Sequence, residues 1–114
     1  MEVRRGDIFL VDLSPVTGTE QSGIRPALVI QIDRANERSP HTIIIPFTTR
    51  IREAILPSQV KVPAGIGDLT KDSVLLCEQI RAIDKNRLVR RIGNFGKENL
   101  ERVAVALKVI LGLD

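Results

Sequence analysis

The apolar pattern of this chain changes period once, and that change limits the folds open to it. Up to about residue 94 the apolar residues come in short runs closed by turn formers. After that, Leu100, Val103, Ala104, Leu107, Ile110 and Leu111 recur three and four apart, the stripe of an amphipathic helix. The stripe starts near Gly96 and stops at Gly112, a C-terminal glycine signal. Many short strands followed by one helix predict a mainly β protein with a C-terminal helix, built on a curled, mostly antiparallel sheet or partly open barrel.

Strands are expected at residues 7–13, 26–32, 42–47, 58–62 and 88–92, with residues 72–77 and 78–83 as two more or as one long bent strand. Pro46 marks an edge or a bulge in its strand. Residues 33–41 read as a polar connection, with Asn36, Ser39 and Pro40 as turn residues. Residues 84–86 read as a turn or one helical turn. The 114 residues suit a single domain over 1–114, large enough to bury a core without disulfides or metal. Hydrophobic residues make up 43% and charged residues 27%, the balance of an ordinary globular chain.

The N-terminal charges lack the apolar core of a signal peptide behind them, and no apolar run approaches membrane-span length. With one cysteine, Cys77, no internal disulfide can form, which fits a reducing, cytoplasmic setting. The net charge of +3 allows a polyanionic partner without requiring one. Basic residues gather at Arg4 and Arg5, at Arg50 and Arg52, and from Arg81 to Arg91.

Residues 18–31 are the most informative for chemistry. A polar loop bracketed by Gly18 and Gly23 runs into an apolar strand, and Arg25 stands at the join ahead of Pro26. Proline fixes its own φ and pushes the residue before it towards an extended conformation. An arginine held there can grip a phosphate or stabilise a phosphorane-like transition state. Metal chemistry lacks a basis, because one histidine and one cysteine provide no ligand cluster. His41 reads as a solvated loop residue and Cys77 as a core residue rather than a nucleophile. No Walker motif, dinucleotide fingerprint or nucleophile elbow occurs.

An arginine with hydroxyls and carboxylates, without metal or other cofactor, suits cleavage of RNA by its own 2′-hydroxyl. The protein then needs to accept a proton, stabilise charge on phosphorus and protonate the leaving 5′-oxygen. Arg25 fits the charge-stabilising role, Thr48 offers a hydroxyl to a phosphate oxygen, and Glu20 is a candidate proton acceptor. Each also fits a plainer role, as a surface ion pair, a β-forming residue or a solvated loop carboxylate.

Three blocks in order bear a family resemblance. They are Arg5-Gly6-Asp7-Ile8 with Val11-Asp12-Leu13-Ser14-Pro15, then Gly18-Thr19-Glu20-Gln21-Ser22-Gly23-Ile24-Arg25-Pro26, then Asp72-Ser73-Val74-Leu75 with Glu78-Gln79-Ile80-Arg81. The chain resembles the MazF/PemK toxins of bacterial type II toxin–antitoxin pairs, most closely the Gram-positive, EndoA-like members. The resemblance implies the SH3-like barrel of the MazF/CcdB superfamily, a homodimer, and a metal-independent, sequence-selective endoribonuclease that leaves a 2′,3′-cyclic phosphate. It implies catalysis by Arg25 and Thr48, with Glu20 and Gln21 on the active-site loop. It places Glu78 and Gln79 by the RNA groove, with Ser73 and Thr49 nearby. It implies an acidic, MazE-type antitoxin. A basic groove that holds RNA should also accept an acidic, flexible peptide, so antitoxin and RNA are expected to compete, and the short apolar runs predict no membrane partner.

The chain departs from its relatives in lacking Trp and Tyr, which many of them carry in the first strand. Base stacking on aromatics is worth about 1–3 kcal/mol per base. Base reading here would lean on hydrogen bonds from the loop before Arg25 and from Glu78 and Gln79. Two other functions compatible with the superfamily are a CcdB-like toxin that binds a topoisomerase and cuts nothing, and a barrel that binds nucleic acid without catalysis.

Overall fold

A computed structural model describes residues 1–15, 18 and 23–113. Its strands are β1 (Asp7–Asp12), β2 (Ile24–Val29), β3 (His41–Thr48), β4 (Gln59–Val62), β5 (Ser73–Leu76), β6 (Arg81–Asp84) and β7 (Leu88–Asn94), with helices α1 (Asp33–Arg38) and α2 (Lys97–Leu111). Every strand pairing is antiparallel. The order is β4-β5-β3-β2-β1-β7, with β6 also on β3. The sheet curls as expected but stays open, with β4 and β7 as its edges.

β3 holds this sheet together. On one side it pairs with β2 through Ile44, Ile45 and Pro46. On the other it pairs first with β6, from His41 to Ile44, and then with β5 at Phe47 and Thr48. The Ile43 carbonyl accepts from Ile30 N–H on the β2 side. By alternation the nitrogen of Pro46 points the other way, to where β6 has ended and β5 has not begun. Proline's missing donor thus falls where no ladder bond is due. The expected edge or bulge is this local gap inside an interior strand.

Alternation sorts β2 and β3 between two apolar clusters. Leu28, Ile45 and Phe47 pack with Leu75, Phe95, Val103 and Ala106 beneath α2. Ala27, Val29 and Ile44 pack with Phe9, Val11 and Leu88 on the opposite face. Phe47 and Phe95 meet edge to face at 5.9 Å and lock the start of α2 to the sheet.

α2 matches the helical stripe, with Gly112 left-handed at its end (φ 66°) and donating to the Lys108 and Val109 carbonyls. Ile110 and Leu111, counted in that stripe, are nevertheless exposed. α1 corrects the polar connection read over residues 33–41. Its sequence, Asp-Arg-Ala-Asn-Glu-Arg, carries good helix formers, but one and a half turns are too short to show a stripe. Buried Asn36 anchors α1, accepting from Thr42 Oγ1 at 2.7 Å and donating to the Gln31 carbonyl at 2.9 Å. β2 begins and ends earlier than the expected 26–32, so Arg25 lies inside the strand rather than at its mouth. His41 is the first residue of β3 rather than a loop residue, and remains exposed with Nδ1 2.8 Å from Ser39 Oγ.

Gly93 in β7 lies against the turn of 3-10 helix at Ile66–Asp68, where a Cβ would run into the Gly67 carbonyl. Backbone cannot yield as a side chain can. Gly93→Ala is expected to cost about 1–3 kcal/mol, lowering Tm by roughly 4–15 °C. Calorimetry of the two proteins checks this.

Candidate functional site

The face that carries Ala27, Val29 and Ile44 loses its apolar cover at the end of β3. Thr48 is the last residue of that strand and pairs with Val74 of β5. Leu76, two residues on, pairs with Gln59 of β4. Alternation puts Thr48, Val74, Leu76 and Gln59 on one face, where they floor a cleft of about 460 Å³. Residues 50–56 contribute Arg50, Arg52, Ala54, Ile55 and Leu56 as a loop wall, and Glu78 and Gln79 complete the lining. That volume is in the range of small-ligand sites.

Glu78 and Gln79 reach the cleft because the expected bent strand is broken. β5 runs beside the Thr48 end of β3 and β6 beside its His41 end, so the chain between them makes one 3-10 turn, Cys77–Gln79, where β3 lacks a partner. Cys77 points inward and is buried in the main core, while Glu78 and Gln79 line the cleft.

Thr48 is 8% exposed, and its Oγ1 accepts from Arg50 N–H at 3.1 Å. A hydroxyl that accepts there keeps its own O–H for donation, as a phosphate oxygen requires. The β2–β3 ladder ends at Ala27 and Pro46. Continued by two residues, that register brings Arg25 level with Thr48 on the same face. Sequence separation hides this proximity, which the antiparallel pairing supplies. Arg50 and Arg52 outnumber the lone carboxylate of the lining, Glu78, so the cleft is cationic. Ile55, Leu56, Val74 and Leu76 add apolar wall. The arrangement can hold an anionic group at the Thr48 end and a flat, partly apolar group deeper in.

The predicted residues do not all converge. Thr48, Glu78 and Gln79 line the cleft. Thr49 is exposed beside Thr48. Ser73 is buried at the start of β5, donates to the Lys71 carbonyl at 3.0 Å and lines a separate depression with Ile51 and Lys61 across the loop wall. Glu20 and Gln21 lie outside the described residues. Sequence reasoning left out Gln59, Arg50 and Arg52 as cleft residues. The two arginines had been noted as a basic pair, whereas Gln59 is a polar residue in an alternating strand with no local signal. Among the described residues no group of three or more His, Cys, Asp or Glu could hold a metal ion, and no helix is long and apolar enough to cross a membrane.

Residues 4–111 match the family described as PemK-like, MazF-like toxin of type II toxin-antitoxin system. The chain belongs to this family. The resemblance carried by the three sequence blocks is therefore borne out. Endoribonuclease MazF of Staphylococcus saprophyticus is 45% identical over 111 residues, 97% of this chain and 92% of the relative. Endoribonuclease EndoA of Bacillus subtilis is 46% identical over 113 residues, 99% of this chain and 97% of the relative. The crystal structure of MazF from Deinococcus radiodurans superposes with a TM-score of 0.85 at 26% identity, covering 99% of each chain. A mycobacterial endoribonuclease solved with its cognate antitoxin shares the fold, with a TM-score of 0.81 at 20% identity over 98% of this chain and 97% of that one.

Within this toxin fold Cys77 is inert. Burial, and secondarily the neighbouring Glu78 charge, push its thiol up to about 12. The native protein is expected to resist iodoacetamide at pH 8 and to be labelled stoichiometrically in denaturant, as mass spectrometry would read. The raised value also fixes a sign. The stability that Cys77 contributes is complete below its unfolded value near 8.5 and is lost as pH climbs towards 12.

Proposed function

We propose that this chain is a metal-independent, sequence-selective endoribonuclease, the toxin of a type II toxin–antitoxin pair, acting as one domain over residues 1–114. The observation that carries the reading is the buried donor hydroxyl of Thr48 on the floor of a cationic cleft in a member of this toxin family, and the β2–β3 register, continued by two residues, supports Arg25 as its neighbour. Relatives named endoribonuclease at 45% and 46% identity support it. The topoisomerase-binding alternative has no observation in its favour.

In the proposed reaction the RNA 2′-oxygen bonds to the adjacent phosphorus and the bond from phosphorus to the 5′-oxygen breaks. A 2′,3′-cyclic phosphate and a 5′-hydroxyl result. Arg25 neutralises charge gathering on the non-bridging oxygens, and Thr48 donates to one of them. Glu20 takes the 2′-hydroxyl proton, a task for which the guanidinium of Arg25, with donors and no acceptor, is unsuited. The leaving oxygen gains a proton from Arg25 or solvent. Gln21, Thr49, Glu78 and Gln79 bind the RNA around the scissile bond, whereas Ser73, expected among them, is buried in the separate depression and is left out of this group. Arg50 and Arg52 join them as phosphate contacts by virtue of their place in the cleft lining.

RNA cleavage in excess EDTA tests this. Wild-type activity is expected to survive chelation, with products ending in cyclic phosphate. Arg25→Ala is expected to lose about 10²–10³-fold in kcat, and Thr48→Val roughly tenfold or more. Full activity in Arg25→Ala, or loss of wild-type activity on chelation, overturns the mechanism.

We further propose a cytoplasmic homodimer and an acidic, MazE-type antitoxin as partner. A solved structure of MazE with MazF from Deinococcus radiodurans, at 26% identity to this chain, supports the partner. Exposed Val105, Val109, Ile110, Leu111 and Leu113 at the end of α2 offer a second copy an apolar surface. A cationic cleft that holds RNA also suits a flexible acidic peptide that orders on binding. Antitoxin peptide is therefore expected to displace labelled RNA in a competition assay, and simultaneous independent binding of both contradicts a shared cleft.

A further inference from the structure

Gln59 joins two parts of the cleft, the loop wall and the turn that carries Glu78. Its Oε1 accepts from the Leu56 backbone N–H in the loop wall at 3.1 Å, and its Nε2 donates to Glu78 Oε2 at 2.7 Å. Those bonds fix the orientation of the amide, because a backbone N–H only donates and a carboxylate only accepts. They also decide what Glu78 can offer. Oε2 is engaged by Gln59, whereas Oε1 is buried and has no hydrogen-bond partner in the protein. A buried acceptor left without a donor is costly and is the exception in folded proteins. Glu78 lines the same cleft as Arg50, Arg52 and the apolar residues of the wall.

We propose that Gln59 is a positioning residue for base recognition. It holds Glu78 so that Oε1 receives the exocyclic amino group of a nucleobase, and it ties the loop wall over that oxygen until the base arrives. The substrate class rests on the endoribonuclease reading above. A carboxylate oxygen recognises an amino donor such as that of cytosine. Uracil carries carbonyl oxygens where cytosine or adenine carries the amino group, so it sets acceptor against acceptor. Since Oε1 is covered, the base enters as the loop wall shifts, and that shift strains the side-chain bond from Leu56 N–H to Gln59 Oε1 beside the backbone bond from Gln59 N–H to the Leu56 carbonyl. Gln59 touches no reacting atom and acts only through Glu78 and Leu56.

Binding of uncleavable 2′-O-methyl oligonucleotides separates this role from catalysis. The probes are a uracil heptamer and its variants with one cytosine or one adenine at each position, followed by fluorescence anisotropy. Wild type is expected to bind at least one amino-bearing variant roughly fivefold or more tighter than the uracil heptamer. Gln59→Leu is expected to bring that ratio to about twofold or less while holding the uracil heptamer as before, with an unchanged circular dichroism spectrum. Glu78→Gln, which can present an NH₂ in place of an acceptor, is expected to shift preference towards uracil. Should Gln59→Leu not fold, Gln59→Met serves for the same ratio. No preference in wild type, an unchanged ratio in the Gln59 variant, or uniform weakening of all probes overturns the proposal. Failure of the endoribonuclease reading shows separately, as intact 2′-hydroxyl RNA in the EDTA assay.

Discussion

Everything near the cleft depends on β3 serving three neighbours. A strand can carry only one ladder on each side at a time, so β6 must end before β5 begins. The handover falls at Pro46, the one residue of β3 that has no N–H to leave unsatisfied. Because the neighbours change there, the chain between β5 and β6 must turn there too. That turn delivers Glu78 and Gln79 to the cleft and buries Cys77 in the core. A residue able to donate at position 46 would face a gap, and the driving force for the break between β5 and β6 would weaken.

The same strand explains how a polar site is kept next to a packed core. β3 is buried over most of its length and β2 over its second half, so both strands are anchored in the two apolar clusters. Arg25 and Thr48 lie one pleat beyond the last ladder pair of Ala27 and Pro46, where the apolar cover stops. Side chains on strand ends set by two cores are positioned more tightly than side chains on loops, and that matters for a phosphate transition state. Burial of Thr48 and its bond from Arg50 N–H add to this by fixing which way the hydroxyl can donate.

How much of this was legible in the sequence follows from the range of each interaction. The strands and α2 were legible because period and turn chemistry are local, and the 2-to-3.6 change near Gly96 needed no tertiary information. α1 escaped because six residues carry no periodicity and because Asn36 looks like a turn former, although its side chain is spent on a buried network with Gln31 and Thr42. Arg25 and Thr48 were candidates from residue type and position, motif resemblance paired them in catalysis, and their level placement follows from continuing the strand register. Ser73 was placed near Glu78 by the family resemblance. Alternation and the loop wall put the two in different depressions. Gln59 could not have been found at all, since its meaning comes from Glu78, nineteen residues away, and from a backbone N–H in the loop.

These placements divide the proposed work of the site between rigid and movable parts. Arg25 and Thr48 are set by strands, and the Thr48 hydroxyl is also held by Arg50 N–H at the root of the loop wall, so the phosphate step depends on the strands and that root rather than on the far end of the loop at Leu56. Glu78 is set by a short turn and by Gln59, which is itself tied to the loop at Leu56. Base identity is thus read where the protein can yield, and charge is stabilised where it cannot. Under this division a wrong base is rejected while the loop is still closing, before the phosphate settles between Arg25 and Thr48. Selectivity then comes from differential closure rather than from altered chemistry, which fits a chain that has no Trp or Tyr on which to stack a base. With stacking reduced to three phenylalanines, two of them packed against each other in the core, a single well-aimed acceptor becomes the cheaper device for telling one base from another.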